Sequence, residues 1–454
     1  MRYHDFTLTI TEHAGQGYDL AAVSSETGRV SVVLPLPSPE LQAQLGRVSE
    51  VLRGGAADTT ARAAGEALFR WVTAGPVESH LRVAWDRAQR DRAGLRIRLS
   101  IDPPEVAAWP WELLRDPARG HVFATAPSTL LVRYYDQAQH FGSLAEQETD
   151  LPLNLLLVLP TIPDLQLAQE RSNIERVVAA MPDVLRLHVL DGLVTRTALA
   201  DALLVGDYDI IHFSGHGTFT NGRGYLSLNR ADGTPDWLEG TALAQIAVNY
   251  RSTRLVLLNA CSSGRVDDAQ AFQGLAPQLV RLGVPAVIAM QYPIGDAAAI
   301  TFAHEFYKAL CVGAGAGQVD AAVAYARSML ALVHPRSPAW AAPVLYTHAA
   351  DGVIYRLTSR GAGPAALDPI LRRARLETLQ ASLDESAALD DDFKGADAAS
   401  LFAWRQTLRR AEEAYRARLD DPQAEVQALA RRGLALAQQR LQAVDAALAA
   451  AARK

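Results

Sequence analysis

Five short runs between residues 153 and 290 contain almost no polar side chains. They read LNLLLVL (153–159), LRLHVL (185–190), YDIIHF (208–213), RLVLLN (254–259) and PAVIAM (285–290). Segments with helical spacing lie among them: ERSNIERVVAAM, TRTALADALLVG and DDAQAFQGLAPQLVRLG, the last ended by Gly283 as a C-cap. Apolar strands that alternate with helices predict an α/β fold with a mainly parallel sheet covered by helices on both faces. Functional residues of such a sheet collect at the carboxyl ends of its strands.

The segments on either side of this α/β region have a different pattern. Residues 1–140 mix strands (FTLTI, VSVVLPL, LRIRLSID) with a helix (ARAAGEALFRWV), which predicts an α+β amino-terminal region. In EVAAWPWELLRD the tryptophans are expected to anchor a core. The acidic, glutamine-rich stretch 137–152 is typical of a linker or surface loop. We therefore expect an α+β region over 1–140 and an α/β domain over 151–360.

From about residue 365 the composition shifts to Ala, Arg, Glu, Leu and Gln. Apolar side chains recur at steps of three and four residues and form one stripe: Leu401, Trp404, Leu408, Ala411, Tyr415 and Leu419. Asp421 and Pro422 suit the start of a second helix. Its expected inner face consists of Val426, Leu429, Leu441, Val444 and Leu448. Residues 365–454 are therefore predicted to form a helical hairpin or bundle with a regulatory or interaction role.

Composition excludes several classes of protein. The length of 454 residues predicts two or three domains, and the net charge of −6 argues against direct binding of nucleic acid. With two cysteines, no disulfide framework or zinc module is expected. The start MRYHDFTLTI lacks the features of a signal peptide and no apolar run has the length of a bilayer span, so we expect a cytoplasmic location and no membrane contact. No phosphate-binding glycine motif occurs, and no cofactor is expected.

Two of the strands end in residues that suit nucleophilic catalysis. IIHFSGHGTF places His216 between two glycines just past its strand, and RLVLLNACSSG places Cys261 at the end of another strand. If those strands are neighbours, both side chains lie at one edge of the sheet. An imidazole there can activate a thiol, and the amides of Gly217 and Cys261 can stabilise an oxyanion. The spacing of 45 residues (261 − 216) is close to that of caspases, in which the histidine lies about 50 residues upstream.

These motifs, together with GVPAVIAMQYPIGDAAAITFAHEFYKAL and WAAPVLY, resemble the CHAT family of caspase-like cysteine peptidases, which are related to separase and the metacaspases. GYDLAAVSS, LRIRLSIDPPE and PWELLRDP are similar to the segment that precedes many bacterial CHAT domains. The resemblance implies a caspase-like fold with Cys261 as nucleophile and His216 as base. It also implies a protein substrate, cleavage as an endopeptidase, and activation by a sensor or regulatory partner in a bacterial defence or signalling module.

The resemblance leaves the substrate pocket open. Family members often cleave after a basic residue held by an acidic side chain, and metacaspases carry an aspartate two residues before the cysteine, where this chain has Asn259. Asp164 and Asp296 are the candidates for a carboxylate in the S1 pocket, which holds the side chain before the cleaved bond. Asp296 equally suits an N-cap, because a helix-like, alanine-rich segment follows it.

Other interpretations remain beside the peptidase. A catalytically silent caspase-like scaffold would bind partners without cleaving them, and an amidase or acyl-transfer enzyme would use the same dyad. His212 and His216 lack a third metal ligand at a credible spacing, so we expect no metal site and expect His212 to pack within the sheet. Cys311, on the apolar side of a helix, is expected in the core.

Overall fold

The structure is a computed structural model. It describes residues 1–454 apart from 15–16, 55–57, 137–147, 162–166, 222, 250–252, 261–265, 293, 314, 336, 359–379, 381–382, 384–397, 417–418, 420–423 and 452–454. The chain divides into two compact units, Met1–Thr358 and Ser359–Lys454. The segments predicted over 1–140 and 151–360 lie in the first unit, and the segment predicted over 365–454 lies in the second.

The strands of the first unit are numbered in chain order. They are β1 (Tyr3–Glu12), β2 (Tyr18–Ser24), β3 (Gly28–Leu34), β4 (Gly94–Ile101), β5 (Arg115–Asp116), β6 (His121–Val122), β7 (Thr129–Tyr134), β8 (Glu148–Asp150), β9 (Leu153–Pro160), β10 (Leu185–Gly192), β11 (Ile210–Gly215), β12 (Gly217–Thr220), β13 (Arg223–Asn229), β14 (Pro235–Glu239), β15 (Leu255–Ala260), β16 (Ala286–Met290), β17 (Pro343–Thr347) and β18 (Arg356–Thr358).

The α-helices are numbered in the same way across both units. They are α1 (Pro39–Gly54), α2 (Asp58–Val72), α3 (Pro76–Arg90), α4 (Pro104–Ala107), α5 (Leu167–Ala179), α6 (Arg196–Val205), α7 (Gly240–Asn249), α8 (Val266–Arg281), α9 (Asp296–Cys311), α10 (Val319–Val333), α11 (Ala398–Arg416) and α12 (Ala424–Ala451). Short 3₁₀ turns cover Trp111–Leu113, Phe123–Thr125 and Pro338–Ala341.

One sheet of eleven strands runs through the first unit in the order β10-β9-β11-β15-β16-β17-β7-β4-β1-β2-β3. The five strands from β10 to β16 are parallel, which confirms the α/β prediction and its strand assignments. β17 is antiparallel to β16 and parallel to β7, so the strands of the amino-terminal region continue the sheet. The stretch predicted as a linker contains β8, which pairs with β18, while 137–147 lie outside the described residues.

Helices cover both faces of this sheet in the first unit, as predicted. Alternate residues of β11, such as Ile211 and Phe213, pack in a core with Leu243 of α7 and Leu279 of α8. The intervening residues of β11 and β15 point toward α5 and α9, where polar side chains replace part of the core. The end of α8 also follows the sequence pattern, because Gly283 has a φ of +113° just beyond it.

Buried charges fix the amino-terminal region to the rest of the first unit. Glu112, in the PWELL segment, accepts two hydrogen bonds from Arg133 of β7, at 3.2 and 2.8 Å. Arg327 of α10 lies 3.8 Å from the same carboxylate and donates to the carbonyl of Pro343. All three charged side chains are at most 4% exposed. Trp111 is fully buried nearby, which confirms that this segment anchors a core.

The second unit contains the predicted helical hairpin. Leu401, Leu408, Ala411 and Tyr415 of α11 are buried. They pack with Val426, Ala430, Ala437, Leu441 and Val444 of α12, and Leu429 and Leu448 are packed beside them. The predicted inner face of the second helix is therefore confirmed. The proposed helix start at Asp421 and Pro422 lies outside the described residues.

Candidate active site

β11 and β15, the strands that precede the two catalytic candidates, are neighbours in the sheet. They run parallel, and their last residues, Gly215 and Ala260, are register partners. His216 follows Gly215 directly, and Cys261 follows Ala260. The condition that the sequence left open, two adjacent strands ending at one edge, is therefore met. Cys261 and the rest of 261–265 lie outside the described residues, so the pairing of its thiol with His216 stays a prediction.

His216 occupies a short connection between two sheets. It is 8% exposed, and its carbonyl accepts a hydrogen bond of 2.9 Å from the amide of Ser227 in β13. Gly217 begins β12 and pairs with Leu226 in the small sheet β12-β13-β14. The histidine backbone is thus held between a parallel strand on one side and an antiparallel sheet on the other. The oxyanion role of the Gly217 and Cys261 amides also stays a prediction.

The role of the two carboxylates predicted for the substrate pocket stays a prediction. Asp164 lies outside the described residues, and only the backbone of Asp296 is described. Asp296 is the first residue of α9, and the N-cap of that helix is Gly295, which corrects the alternative that Asp296 is the capping residue. Gly295 is the N-cap because its backbone is still extended, with φ −69° and ψ 151°, and the helical conformation begins at the next residue.

A carboxylate that the sequence did not single out lies at this edge of the sheet. Glu170 of α5 accepts hydrogen bonds at its Oε1 from the hydroxyl of Ser214, at 3.3 Å, and from Nδ2 of Asn259, at 2.8 Å. Ser214 and Asn259 are register partners one position before the ends of β11 and β15. Glu170 therefore contacts both strands one position before their last residues.

This carboxylate borders a pocket between the sheet, α5 and α9. The enclosed part of the pocket has room for about one water molecule, and the empty volume of about 320 Å³ around it includes open solvent. Its polar lining consists of Glu170, Asn173, His212 and Asn259, and its apolar lining of Ile174, Leu257, Met290, Ala299, Ile300, Phe302 and Ala303. An apolar pocket with a few convergent polar groups is the usual form of a site for a side chain or small ligand.

Two buried polar atoms around this pocket have no hydrogen-bond partner among the residues that the structure describes. They are Oδ1 of Asn259, in a residue 5% exposed, and Nε2 of His212, in a residue 2% exposed. The other ring nitrogen of His212, Nδ1, lies 2.9 Å from the hydroxyl of Tyr307 in α9. Burial lowers the pKa of His212 to about 3, so the ring is neutral at physiological pH. The prediction that His212 packs within the sheet is confirmed.

Cys311, the last residue of α9, is 5% exposed, as predicted for a core residue. Burial raises the pKa of its thiol, which makes it a poor nucleophile. The sequence did not single out Glu170, because this residue lies in a helix with ordinary apolar spacing. Its contact with Asn259 joins residues that are 89 positions apart in the chain. The feature of the sequence that came closest to indicating this contact was Asn259, which stands where metacaspases carry an aspartate.

The described part of the chain contains no group of three histidine, cysteine or carboxylate side chains arranged to hold a metal ion. Within the same residues, no helix combines the length and hydrophobicity needed to cross a membrane.

Comparisons with known proteins give a family, and several solved structures are distantly similar. The family described as CHAT domain matches residues 62–348, and no curated protein matches the chain. A chain of the Saccharomyces cerevisiae separase–securin complex is similar at 12% identity with a TM-score of 0.45, over 76% of this chain and 30% of that chain. The complex of Porphyromonas gingivalis RgpB pro- and mature domains is similar at 12% identity with a TM-score of 0.36, over 70% of this chain and 75% of that chain.

Proposed function

This chain belongs to the CHAT domain family, and from that premise we propose that it is a cysteine endopeptidase that cleaves a protein substrate with a Cys261–His216 dyad. One observation carries the proposal. Gly215 and Ala260 are register partners in parallel strands, which brings the two sequence motifs to one edge of the sheet. A free thiol has a pKa near 8.5 and attacks poorly, so an imidazole at the next strand end supplies the activation that it needs.

The proposed reaction follows acyl transfer through a thioester. His216 takes the proton of the Cys261 thiol, and the thiolate attacks the carbonyl carbon of the peptide bond. Amides of Gly217 and Cys261 stabilise the resulting oxyanion. The tetrahedral intermediate then collapses as His216 protonates the leaving amine, which breaks the peptide bond and leaves a thioester. Water, deprotonated by His216, hydrolyses the thioester and restores the thiol.

For the S1 pocket we propose the space beside Glu170 in place of one built on Asp164 or Asp296. Three features support this choice. Glu170 brings a negative charge to a pocket beside the ends of β11 and β15, Oδ1 of Asn259 has no hydrogen-bond partner among the described residues, and the remaining walls of the pocket are largely apolar. A long aliphatic side chain with a positively charged end complements such a lining. We therefore propose cleavage after a basic residue.

The proposal includes activation by a sensor or regulatory partner and a role in a bacterial defence or signalling module, as the family resemblance implies. It also includes a cytoplasmic location, as the sequence pattern predicts. The helical hairpin α11–α12 is the part of the chain that we assign to the partner.

The test compares the wild-type chain with Cys261→Ala, His216→Ala and, as a matched control, Cys311→Ala. Each is incubated with a peptide library and with candidate partner proteins, and new termini are identified by mass spectrometry. We expect cleavage by wild type and Cys311→Ala, and a loss of at least about 10³-fold in the other two. Identical products from wild type and Cys261→Ala would contradict the peptidase and favour the silent scaffold. Turnover of small amides without cleavage of peptides would favour the amidase.

A further inference from the structure

We infer that Trp237 of β14 is a specificity-determining residue that binds an apolar side chain of the substrate, about three residues after the cleaved bond. The inference rests on the proposed function, since it takes His216 as the group that protonates the leaving amine. Trp237 belongs neither to the dyad nor to the pocket beside Glu170.

His216, Ser227 and Trp237 lie side by side across the small sheet β12-β13-β14. The amide of Ser227 donates to the carbonyl of His216 at 2.9 Å, and Ser227 and Trp237 are register partners. Residues directly across a β-ladder point their side chains to the same face. Leu226 and Leu238, which form the next row of the ladder, point to the other face and are buried in the core. His216 and Trp237 therefore share the face that points away from the core.

The spacing along this row fits a peptide that leaves the dyad over the small sheet. Two strand spacings of about 4.8 Å separate the backbones of His216 and Trp237, which is roughly 10 Å. The segment of the substrate after the cleaved bond begins at the amine that His216 protonates. An extended peptide advances about 3.3 Å per residue, so roughly its third residue reaches Trp237.

The two parts of the substrate are then received on opposite faces of the large sheet. The pocket proposed for the side chain before the cleaved bond lies between the sheet, α5 and α9. The small sheet packs through Leu226 and Leu238 against Leu243 of α7 and Leu275 of α8, which cover the other face. The face that His216 and Trp237 share is therefore available to the segment after the bond.

Trp237 has the properties of a fixed and accessible anchor. Its side chain is 42% exposed, whereas tryptophan is on average highly buried. Its carbonyl accepts a hydrogen bond of 2.8 Å from Arg196, whose guanidinium also donates to both carboxylate oxygens of Asp236, at 2.6 and 2.7 Å. These contacts hold the backbone of β14, so a ligand can bind to the indole ring with little loss of backbone freedom. Tryptophan is enriched among the residues that carry most of the binding energy at protein interfaces.

The surroundings of Trp237 favour an apolar side chain over a charged one. Glu239, two residues along β14, lies 3.0 Å from Arg223 of β13, so these two charges compensate each other. Tyr225 is the register partner of Glu239 and is half-buried on the face of Trp237. A charged side chain would lose hydration on the two aromatic rings without gaining a new partner, while an apolar one gains buried area.

The first experiment measures binding without turnover, in the full-length Cys261→Ala chain labelled with ¹⁵N at tryptophan. The indole resonance of Trp237 is assigned with Trp237→Phe. The probes are the peptides acetyl-Ala-Ala-Arg-Ala-Ala-X-Ala-amide, in which X is leucine, glycine or aspartate and arginine precedes the bond to be cleaved. We expect the leucine peptide to shift the Trp237 resonance and to bind at least about fivefold more tightly than the other two. Equal affinities, or a Trp237 resonance that the leucine peptide leaves unchanged, would overturn the inference.

The second experiment measures cleavage of the leucine and glycine peptides by otherwise wild-type chains. Trp237→Ala is expected to lower kcat/KM for the leucine peptide at least about fivefold and to change that for the glycine peptide by less than about twofold. Trp237→Phe keeps an aromatic ring and is expected to retain most of the preference. Leu204→Ala, at a position of α6 that is 66% exposed, is the matched control and should alter neither value.

Equal losses for the leucine and glycine peptides in Trp237→Ala would assign Trp237 a structural role and overturn the inference. The resonance shift is read in a chain that retains Trp237, so it gives an answer even if Trp237→Ala does not fold.

Cleavage by the wild-type chain separates the two proposals. Peptide cleavage at a rate that does not depend on X would overturn the inference and leave the peptidase standing. Leucine-dependent binding at Trp237, in a wild-type chain that cleaves none of the peptides, would overturn the peptidase and leave the binding site standing.

Discussion

Gly215 and Ala260 are register partners at the carboxyl ends of two neighbouring parallel strands. The strands that lead to His216 and Cys261 therefore end side by side. Neighbouring strands lie about 4.8 Å apart, so the strand ends that precede His216 and Cys261 are close enough for the thiol–imidazole contact that we propose.

The first prediction concerns the two thiols. Cys311 is buried and its pKa is raised, so native protein is expected to take up one equivalent of iodoacetamide at pH 7, at Cys261, and two equivalents after denaturation. His216→Ala is expected to slow alkylation of Cys261 roughly tenfold, because the imidazole no longer favours the thiolate. Peptide mapping measures both sites, with Cys311→Ala as the control. Preferential labelling of Cys311 in native protein would contradict this prediction.

The second prediction concerns Glu170. Glu170→Gln removes the negative charge beside Asn259 and is expected to lower kcat/KM for peptides with a basic side chain before the cleaved bond by about 10- to 100-fold. Glu175→Gln, on the same helix, affects only a surface pair with Arg171 and serves as the matched control. Steady-state kinetics on matched arginine and norleucine peptides measure the effect. An equal loss for both peptides would argue against a charge-selective role.

The third prediction concerns the buried carboxylate of Glu112. Glu112→Ala leaves Arg133 and Arg327 buried without their shared partner and is expected to destabilise the first unit by about 3–5 kcal/mol. Burial already lowers the pKa of Arg327 to about 10, which shows how much its charged form depends on a nearby anion. Thermal and urea unfolding measure the loss. Glu78→Ala, which breaks an exposed pair with Arg82, should cost less than about 1 kcal/mol. Similar costs for the two variants would contradict the buried role of Glu112.

The fourth prediction compares two helical glycines. A Cβ at Gly65 would lie 2.0 Å from the carbonyl oxygen of Leu113, so Gly65→Ala must displace the PWELL segment and is expected to destabilise the protein by at least about 2 kcal/mol. A Cβ at Gly46 meets no heavy atom within 4 Å. Gly46→Ala should therefore stabilise α1 by about 0.5–1 kcal/mol. Melting temperatures that shift in the same direction would refute this contrast.

The fifth prediction concerns pH. Burial is the largest cause that raises the pKa of Asp209 from 3.8 to about 6, although its Oδ2 accepts a hydrogen bond of 2.8 Å from the amide of Asn154. The folded state then holds this proton more tightly than the unfolded state does. The stabilisation that this proton provides is complete below pH 3.8. It is lost as the pH rises through 6, and the free energy of unfolding then falls by at most about 3 kcal/mol.

Asp209→Asn imitates the protonated carboxyl group and is expected to flatten the stability profile between pH 4 and 7. Urea unfolding across that range measures it, with Asp183→Asn at an exposed position as the control. A slope that Asp209→Asn leaves equal to that of the wild-type chain would show that other groups set the pH dependence.

Much of this protein was determined by local sequence patterns. The apolar runs became the parallel strands β9, β10, β11, β15 and β16, because side-chain periodicity and burial on both faces are properties of each segment alone. Local patterns also predicted the apolar stripe of the C-terminal helices, the glycine that follows α8 and the burial of Cys311. His216 and Cys261 could be found because glycine-rich motifs at strand ends are visible in the sequence.

The tertiary structure decided which of these segments meet. It joined the amino-terminal strands to the sheet through β17 and β7, and it placed Glu170 against Asn259 across 89 residues of chain. It also buried Nε2 of His212 without a hydrogen-bond partner among the described residues, which the sequence did not predict. Strand order and contacts between distant residues depend on the packing of the whole sheet with its helices. No local pattern encodes them, and the pocket that shapes our proposals came only from that packing.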